Sequence, residues 1–404
     1  MTAFLFDLFR FGFALIFTGL HCVLMLGLFL EWHRDKRRLL ETGDLPAVEA
    51  HTREAAPLCA SPSSITEGSV PPLVSVIVSI NNEETRMEEL LRSLSAQDYP
   101  EAEYIFIDDR STDGGPRMLR AFAGGGKQVT IITLAENPGP NHKQYALTKG
   151  IETARGNLLL FTDADCRVPP DWIRAMVRRM EDPALGIIIG PVFKRPGGRG
   201  FFHLYQCFDH AVRYMYLAAS TGLGAAGGGF GNNLILRREA LEAIGGYGAV
   251  PFSPTEDAAL VSRMRSNSKY RIHSACGADT HVLTAGEKNW TAFINQTLRW
   301  NNGGLFSPET VTRINFTFLM ITMSMGMLAI PLLPLFPSLW PLPVSVFLVM
   351  TANTIATLAL FGVSLPKAGA AYVVQDIFTP LYFTFLTILG FCRFKTRWKE
   401  HAAA

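Results

Sequence analysis

The longest uncharged stretch of the chain runs from residue 314 to residue 366, and it limits what the polypeptide can fold into. About 20 apolar residues cross the hydrocarbon core of a bilayer as a helix, so this stretch is long enough for two spans. A third apolar stretch, residues 368–392, is interrupted by Asp376. Because 48% of all residues are hydrophobic and only 18% are charged, we predict a membrane protein. Prolines mark the breaks between spans, at Pro331, Pro334, Pro337, Pro341 and Pro343.

Residues 11–30 form a further segment without charge. Basic residues accumulate at the cytoplasmic ends of spans, so we predict an N-terminal transmembrane helix within residues 1–38 whose basic end lies in the cytoplasm. A cleaved signal peptide is the alternative, but the charges lie on the wrong side and no small-residue cleavage site follows. The charged residues that follow the segment are Glu31, Arg34, Lys36, Arg37 and Arg38.

The basic tail, residues 393–404, conflicts with a simple count of spans. Three full crossings within residues 314–392 would place Arg393, Lys395, Arg397 and Lys399 outside the cell, against the preference of basic residues for the cytoplasm. We therefore expect two to three C-terminal spans, with one segment that is interfacial or re-entrant, and the sequence leaves open which one. The prediction is a multi-pass protein of the inner or plasma membrane, in contact with the lipid bilayer.

Charge and cysteine content exclude other classes of protein. The net charge of +2 is close to balance, and the central region has no basic run interleaved with aromatic residues, so we expect no nucleic-acid partner. The cysteines lack C-x-x-C spacing and are interpreted as reduced thiols, neither a disulfide framework nor a zinc site. They are Cys22, Cys59, Cys166, Cys207, Cys276 and Cys392.

Between the membrane regions the sequence alternates predicted strands and helices. Strand, helix and strand in this order form a βαβ unit, which requires a parallel sheet. The fold class is therefore α/β, with a Rossmann-like doubly wound sheet. Apolar runs and amphipathic periodicity predict strands at residues 74–80, 104–107, 129–134, 158–161 and 185–191, and helices at residues 84–96, 142–154, 170–180 and 201–219.

Two carboxylates, Asp163 and Asp165, follow the predicted strand at residues 158–161. Ligands of open α/β sheets bind beyond the carboxyl ends of the strands. Mg²⁺ and Mn²⁺ prefer carboxylate oxygens and commonly bridge them to substrate phosphates. The pair therefore predicts a metal and diphosphate site, although two aspartates in a surface turn are the simpler interpretation when the motif is taken alone.

Three more motifs carry polar groups. Asp108 and Asp109 end a predicted strand, where a carboxylate can accept hydrogen bonds from a base or ribose. Thr255, Glu256 and Asp257 precede a helical run, and an ordinary helix N-terminus would explain them equally well. A helix would place Gln296, Arg299 and Trp300 on one face, although an Arg-Trp pair here could also be an interface anchor.

Two segments after residue 200 are less specific. The helix predicted at residues 201–219 is crowded with aromatic residues, which suits a core helix or a helix at the membrane surface beside the site. Residues 225–233 are rich in glycine, which could let the backbone approach a ligand closely or simply form a flexible loop.

The order and spacing of these motifs resemble the membrane-bound family-two glycosyltransferases. That group includes cellulose, hyaluronan and poly-N-acetylglucosamine synthases and the ceramide glucosyltransferases. The resemblance covers residues 74–300 and implies the GT-A fold, a Rossmann-like mixed sheet flanked here by transmembrane helices. The motifs that carry it are V-S-V-I-V-S-I-N-N-E-E from Val74, I-D-D-R-S-T-D-G from Ile107, D-A-D from Asp163, T-E-D from Thr255 and Q-T-L-R-W from Gln296.

The resemblance also implies roles for individual residues. Asp109 would contact the nucleotide base, Asp163 and Asp165 would bind the diphosphate and an Mg²⁺ or Mn²⁺ ion, and Asp257 would be the general base. Further expected site residues are Lys143 near the diphosphate, Gln296, Arg299 and Trp300 over the nucleotide and acceptor, and Glu83, Asp108 and Glu256 in support. The pair Asn232-Asn233 departs from the G-x-G pattern common at that place in the family.

The implied reaction moves a sugar, with inversion, from a nucleotide-diphosphate sugar such as a UDP-sugar to a hydroxyl. One base and no second nucleophile suit direct displacement. We expect a lipophilic membrane acceptor of the glycolipid, hopanoid, carotenoid or isoprenoid type, because little protein is left to build a polymer channel. A processive polysaccharide synthase, which would need a partner subunit for export, is the alternative; an inactive scaffold or nucleotide-sugar sensor is the third hypothesis.

The predicted organisation has six parts. They are an N-terminal transmembrane helix (1–38), a polar linker (39–72), a cytoplasmic GT-A domain (73–300), an interfacial segment (301–313), a C-terminal transmembrane region (314–392) and a basic tail (393–404).

Overall fold

The computed structural model describes most of the chain outside the predicted linker and tail. Residues 42–70 lie outside the described residues, so the linker hypothesis stays a prediction. The described residues are 2–41, 71–138, 141–195, 197–198, 200–253, 255–307, 309–362, 365–367, 370–392, 397–398 and 401–402.

The helices flank a central α/β domain at both ends of the chain. They are α1 (Thr2–Glu41), α2 (Glu88–Ser95), α3 (Gly115–Ala123), α4 (His142–Thr153), α5 (Trp172–Arg179), α6 (Phe201–Gly222), α7 (Arg238–Ala243), α8 (Glu256–Asn267), α9 (Trp290–Leu305), α10 (Thr310–Ala329), α11 (Pro341–Phe361) and α12 (Ala370–Phe391).

The strands form one large sheet and two small ones. They are β1 (Val74–Ile80), β2 (Ala102–Asp109), β3 (Gln128–Leu134), β4 (Leu158–Phe161), β5 (Cys166–Arg167), β6 (Leu185–Ile189), β7 (Val192–Lys194), β8 (Leu234–Arg237), β9 (Arg271–Ser274), β10 (Val282–Thr284), β11 (Arg397–Trp398) and β12 (His401–Ala402).

The large sheet has the order β3-β2-β1-β4-β8-β6-β9. Strand β8 is antiparallel to both of its neighbours and the other pairs are parallel, so the sheet is mixed. Strands β5, β10 and β7 form the three-stranded sheet. The predicted α/β class with a doubly wound mixed sheet is confirmed.

Helices cover both faces of the large sheet. Along β1, Val76 and Val78 face the core shared with α2, α3 and α5, whereas Ile77 faces the core shared with α4, α6, α7 and α8. Successive side chains of a strand point to opposite faces, so an almost fully apolar strand is what a sheet buried on both sides requires.

Two predicted elements differ from the structure. The helix expected at residues 84–96 begins at Glu88, because the preceding turn is held by Asp113, whose carboxylate accepts the Glu84 N–H at 2.8 Å. The strand expected at residues 185–191 is divided into β6 and β7, which lie in different sheets. The division falls at Gly190, whose N–H donates to the Asn233 carbonyl at 2.7 Å.

Four helices of the described chain are long and apolar enough to cross a membrane: 10–40, 310–332, 337–361 and 374–391. The ends of two of them meet far from the sheet, where Arg10 Nη1 donates to the Ser338 carbonyl at 2.6 Å and Phe11 packs edge-on against Trp340. Large apolar side chains such as Leu15 and Ile355 remain exposed on the outside of the bundle. Exposed apolar faces of this size are what a lipid environment would cover.

Buried ionic contacts join the other end of α1 to the α/β domain. Asp35 accepts from Arg179 Nε at 2.7 Å and from the Cys276 N–H at 2.8 Å. Glu31 accepts from the Ser274 N–H at 2.6 Å. Both carboxylates and the guanidinium are fully buried. Helix α1 therefore packs as part of the α/β domain, and its apolar half is also a candidate membrane anchor.

Helix α12 runs alongside α9 over most of its length. Where α9 begins, the Phe378 ring of α12 lies 5.6 Å from that of Trp290. In the middle, Tyr382 stacks on Phe293, and near the end a Cβ built on Gly390 would lie 2.9 Å from Leu305. Residues 301–305, which the sequence analysis assigned to an interfacial segment, are the last turn of α9.

Candidate active site

One cavity of about 1350 Å³ extends from the carboxyl ends of the strands to the helical bundle. Its volume exceeds the roughly 300 to 1,000 Å³ of most small-molecule sites. Every residue that the sequence analysis placed in the site lines it, apart from Asp108, which is buried just behind. The predicted residues along its wall are Glu83, Asp109, Lys143, Asp163, Asp165, Glu256, Asp257, Gln296, Arg299 and Trp300.

Asp109 is fixed at the end of β2. Its Oδ2 accepts from Asn137 Nδ2 at 2.9 Å and its Oδ1 from Arg110 Nε at 2.8 Å. Arg110 adopts a φ of 58°, which is uncommon for a residue other than glycine and turns the chain sharply at the strand end. Asp108 supports this turn, because its Oδ1 accepts the Ser111 N–H at 3.1 Å.

Lys143 lies between two carboxylates. Its Nζ is 2.7 Å from Asp163 Oδ1 and 3.4 Å from Glu256 Oε1. Burial alone would lower the pKa of Lys143, but the two carboxylates outweigh it and the pKa lies above its ordinary value. Burial raises the pKa of Glu256, although the ammonium acts in the opposite direction. Lys143 therefore holds a permanent positive charge beside the D-x-D motif.

Asp165 faces the same cavity from the other side of the motif. Arg86 reaches it at 3.7 Å and pairs with Glu83 at 2.6 Å. The side chains of Asp163 and Asp165 keep 32% and 22% of their surface exposed, so ligands can reach both carboxylates. No group of three or more metal-binding side chains occurs in the described part of the chain.

Asp257 is oriented by backbone hydrogen bonds in the first turn of α8. Oδ2 accepts the Gly231 N–H at 2.8 Å and Oδ1 accepts the Ala258 N–H at 2.8 Å. The glycine-rich loop passes so close that a Cβ on Gly229 would lie 2.7 Å from the Asp257 carbonyl carbon. Glycine in this loop thus allows a close approach to a carboxylate at a helix N-terminus, where the helix dipole favours negative charge.

Helix α9 brings the Q-x-x-R-W residues to the cavity wall. Gln296 accepts from Lys194 Nζ at 2.8 Å and donates to Glu287 Oε1 at 2.7 Å. Two cations face the ring of Trp300, with Lys194 Nζ at 5.7 Å and the Arg213 guanidinium at 5.4 Å from its centre. Gln296, Arg299 and Trp300 all line the cavity, as expected for side chains that share one face of a helix.

Sequence analysis missed several charged residues of the cavity wall, among them Arg86, Lys194, Asp209, Arg213 and Glu287. Asp209 and Arg213 form an i,i+4 pair at 2.8 Å on the aromatic helix α6. That spacing was visible in the sequence, as was the lysine at the end of β7. Helix α6 is both a core helix and a wall of the site, so its two interpretations are compatible.

The Asn232-Asn233 pair has a structural explanation. Asn233 is fully buried, its Oδ1 accepts from Trp172 Nε1 at 2.9 Å, and its Nδ2 donates to the Pro191 and Thr280 carbonyls. It therefore ties the loop to the neighbouring strands. The five cysteines in the described residues are free thiols, and Cys59 lies outside those residues.

Comparisons with known proteins bear on the family and the fold of this domain. The profile of the family described as "Glycosyl transferase family 2" matches residues 75–245. A beta-monoglucosyldiacylglycerol synthase of Nostoc sp. is 26% identical over 240 residues, which are 59% of this chain and 50% of that protein. An undecaprenyl-phosphate 4-deoxy-4-formamido-L-arabinose transferase of Aeromonas hydrophila is 37% identical over 112 residues, 26% of this chain and 32% of the relative. The chain spans about half the length of the first of these relatives and about a third of the second.

A solved structure shows the same architecture over nearly the whole chain. It is a mannosyltransferase from Pyrobaculum calidifontis in complex with GDP-Man and Mn²⁺, with a TM-score of 0.52, 20% identity, and coverage of 96% of this chain and 99% of that one. At this level of identity the similarity establishes the fold. Residues 75–245 of this chain therefore match glycosyl transferase family 2, and the chain has the GT-A fold, flanked by helices able to cross a membrane.

Proposed function

We propose that this protein transfers a sugar from a nucleotide-diphosphate sugar to a hydroxyl of a lipophilic acceptor in the membrane. The observation that carries the proposal is the continuity of the cavity, which joins Asp109 and Asp165 at the sheet to Met320 and Met350 in the helical bundle. A polar donor can enter at one end of such a cavity and an apolar acceptor at the other.

The sheet end has the features that a nucleotide sugar needs. Asp109 offers a buried, oriented carboxylate for the base or ribose. Lys143 and Arg86 provide positive charge on either side of the D-x-D motif, where a diphosphate would develop negative charge as the sugar leaves. Charges fixed at the place where charge develops are usually the largest contribution to catalysis of this kind.

The D-x-D residues also fit a divalent cation. Asp163 and Asp165 offer hard oxygen ligands that remain partly exposed in the cavity. Two protein carboxylates suit Mg²⁺ or Mn²⁺, which commonly complete their coordination with substrate phosphates and water. When bound, such an ion would help to neutralise the leaving diphosphate. Lys143 contacts Asp163 and orients its carboxylate.

Asp257 is the proposed general base. Its two backbone hydrogen bonds fix the carboxylate toward the cavity, where it would accept the proton of the acceptor hydroxyl as that oxygen attacks the anomeric carbon. One base on the acceptor side and a diphosphate leaving on the other side suit direct displacement with inversion.

The bundle end suits a lipid. Alongside Met320 and Met350, the cavity wall is apolar at Leu20, Leu24 and Leu217. Two relatives are also named for lipids. They are the monoglucosyldiacylglycerol synthase and the undecaprenyl-phosphate transferase described above. These observations support a membrane acceptor over a soluble one.

We further infer that α12 lies along the membrane interface beside α9, with the catalytic domain in the cytoplasm. Because α12 follows α9 from Trp290 to Leu305, its end returns to the domain side of the bundle. Only α1, α10 and α11 would then cross the bilayer, and the basic tail would stay in the cytoplasm as the distribution of charge requires.

Labelling of Cys392 tests this topology. The thiol is exposed and free, so in a Cys22→Ser, Cys59→Ser background we expect a membrane-impermeant maleimide to modify it in inside-out vesicles and to leave it unmodified in intact cells. The same vesicles treated after solubilisation measure the total reactive thiol. Labelling from outside intact cells would instead mean that α12 crosses the membrane.

Removing one D-x-D carboxylate should reduce both metal dependence and transfer. We expect Asp165→Asn to lower the transfer rate at least about a hundredfold, because neutralising the leaving group is worth several kcal/mol. The measurement is initial rate against Mn²⁺ concentration, with EDTA as the metal-free condition. Asp98→Asn is the control, since Asp98 is exposed and pairs with Arg174 away from the cavity. An EDTA-resistant rate that Asp165→Asn leaves unchanged would refute the metal assignment.

The proposed reaction itself is tested by product analysis. Purified protein in lipid is incubated with Mg²⁺ or Mn²⁺, labelled nucleotide sugars and a lipid extract of the source organism, and organic-soluble product is separated from polymer. A glycolipid that gains one sugar supports the proposal. A high-mass product that grows with time would assign a polysaccharide synthase, and donor binding without product would assign a nucleotide-sugar sensor.

A further inference from the structure

A cluster of polar side chains lies inside the helical bundle, remote from the D-x-D motif and Asp257. Asn353 Nδ2 donates to the Tyr216 hydroxyl at 2.6 Å, and the His21 ring packs edge-on against Tyr216 at 5.9 Å. Beside them, Thr354 donates to Asp376 Oδ1 at 2.5 Å. We call these five residues the bundle cluster. Polar groups buried in a bundle that lipid surrounds are costly, and they usually face a cavity or a substrate path.

The bundle cluster opens into the same cavity as the catalytic residues. Tyr216, Asn353, Thr354 and Asp376 all line it. Asn353 precedes Phe361, the end of α11 beside the sheet domain, by eight residues, which corresponds to about 12 Å along a helix. Phe361 packs on Phe193 of the sheet domain, so Asn353 and Thr354 lie about that far into the bundle from the domain.

The cluster does not satisfy its own hydrogen-bonding capacity. Asn353 is 2% exposed, and its Oδ1 accepts no hydrogen bond in good geometry among the described residues, although the His21 side chain approaches it. The Tyr216 hydroxyl accepts from Asn353 and so keeps its own hydrogen for donation. Leaving a buried polar group unpaired is unfavourable, and a ligand could recover that cost.

We propose that the bundle cluster is a second acceptor subsite that binds the carbonyl of an acyl lipid, with Tyr216 O–H as the donor. The inference rests on the proposed function, because the reacting hydroxyl would lie at Asp257. The depth of the cluster requires a polar spacer between that hydroxyl and the carbonyl. The acceptor class is therefore an acyl lipid with an extended head group, such as one that already carries a sugar, and not a plain isoprenoid alcohol.

The test measures lipid binding and sugar transfer separately. The probes are monoglucosyl-dioleoylglycerol, its dialkyl-ether analogue, dioleoylglycerol and a polyprenyl alcohol. Binding is measured as lipid retained by the wild-type protein in nanodiscs without nucleotide sugar, so that it does not depend on turnover. Tyr216→Phe removes one hydroxyl, and Ile355→Ala on the exposed side of the same bundle is the control.

We expect wild-type binding of the monoglucosyl diacyl lipid to exceed that of its ether analogue about tenfold, the value of one hydrogen bond. Tyr216→Phe should remove this difference, so that the two changes together cost no more than either alone. Ile355→Ala should preserve it. The ether analogue tests the same contact without altering the protein, so an unstable variant would not obscure the result.

Each outcome decides one question. Equal retention of ester and ether lipids by the wild-type protein overturns the subsite, and so does preferred retention of dioleoylglycerol or the polyprenyl alcohol. If a lipid is glycosylated without discrimination between ester and ether, the proposed function stands and the subsite falls. If the ester is preferred and Tyr216→Phe abolishes the preference but no sugar is transferred, the subsite stands and the proposed function falls.

Discussion

Asp257→Asn is expected to lower the transfer rate by a factor of about 10² to 10⁴ while leaving donor binding nearly intact. General bases contribute rate factors of this order, and an amide cannot accept the proton of the acceptor hydroxyl. The amide can keep one of the two backbone hydrogen bonds, which come from Gly231 and Ala258, so the loop should stay in place. The measurement is single-turnover transfer together with calorimetric binding of the donor nucleotide.

Asp171→Asn is a matched control for this variant. Asp171 also precedes a helix, makes no side-chain cap hydrogen bond, and lies outside the cavity wall. Its replacement should leave both measurements unchanged. If Asp257→Asn retained substantial turnover, the base assignment would have to be abandoned, and Glu256 would be the next carboxylate to test.

Arg179→Met should destabilise the protein by about 3 to 5 kcal/mol, because breaking a buried ion pair leaves an uncompensated charge. The guanidinium is 1% exposed and pairs with both Asp35 of α1 and Asp279. Without it, Asp35 keeps only backbone N–H partners in a buried position. The measurement is denaturant unfolding in a fixed detergent, followed by the exposure of buried thiols.

The contrast is Arg174→Met, which removes a more exposed ion pair with Asp98. Exposed pairs contribute about 0 to 1 kcal/mol, so this variant should unfold close to the wild type. Similar unfolding curves for the two variants would show that the contact between α1 and the sheet domain adds little to stability.

The fold was predictable wherever one local pattern determined one element. Strand β1 has the predicted bounds, because a short apolar run between a linker and an Asn-Asn turn leaves few alternatives. The D-x-D motif lies just after β4, at the carboxyl end of the strand, where ligands of an open α/β sheet bind. The division of the 185–191 strand was not predictable, since it depends on Asn233, which lies more than 40 residues further along the chain.

The missed site residues were missed for a similar reason. Lys194 and Arg213 lie on two consecutive elements, β7 and α6, and face Trp300, which follows them by more than 80 residues. A lysine after an apolar strand and an arginine on an aromatic helix have many ordinary explanations. Only the packing of β7 and α6 beside α9 brings both cations to the Trp300 ring. The roles of Asp163, Asp165 and Asp257 remain predictions, since their placement in one cavity is compatible with those roles and does not test them.

The contacts between α1 and the sheet also have a consequence for biosynthesis. Glu31 and Asp35 bond to Ser274 and Cys276, which are made more than 240 residues later. At about 5 to 20 residues per second, the interval is roughly 10 to 50 s. In the proposed topology, the first helix would already reside in the bilayer during that time, while its two carboxylates would face water at the surface. The nascent chain would then be tethered to the membrane before its sheet domain exists, and ribosome-bound intermediates shorter than residue 270 should carry an anchor that has not yet docked.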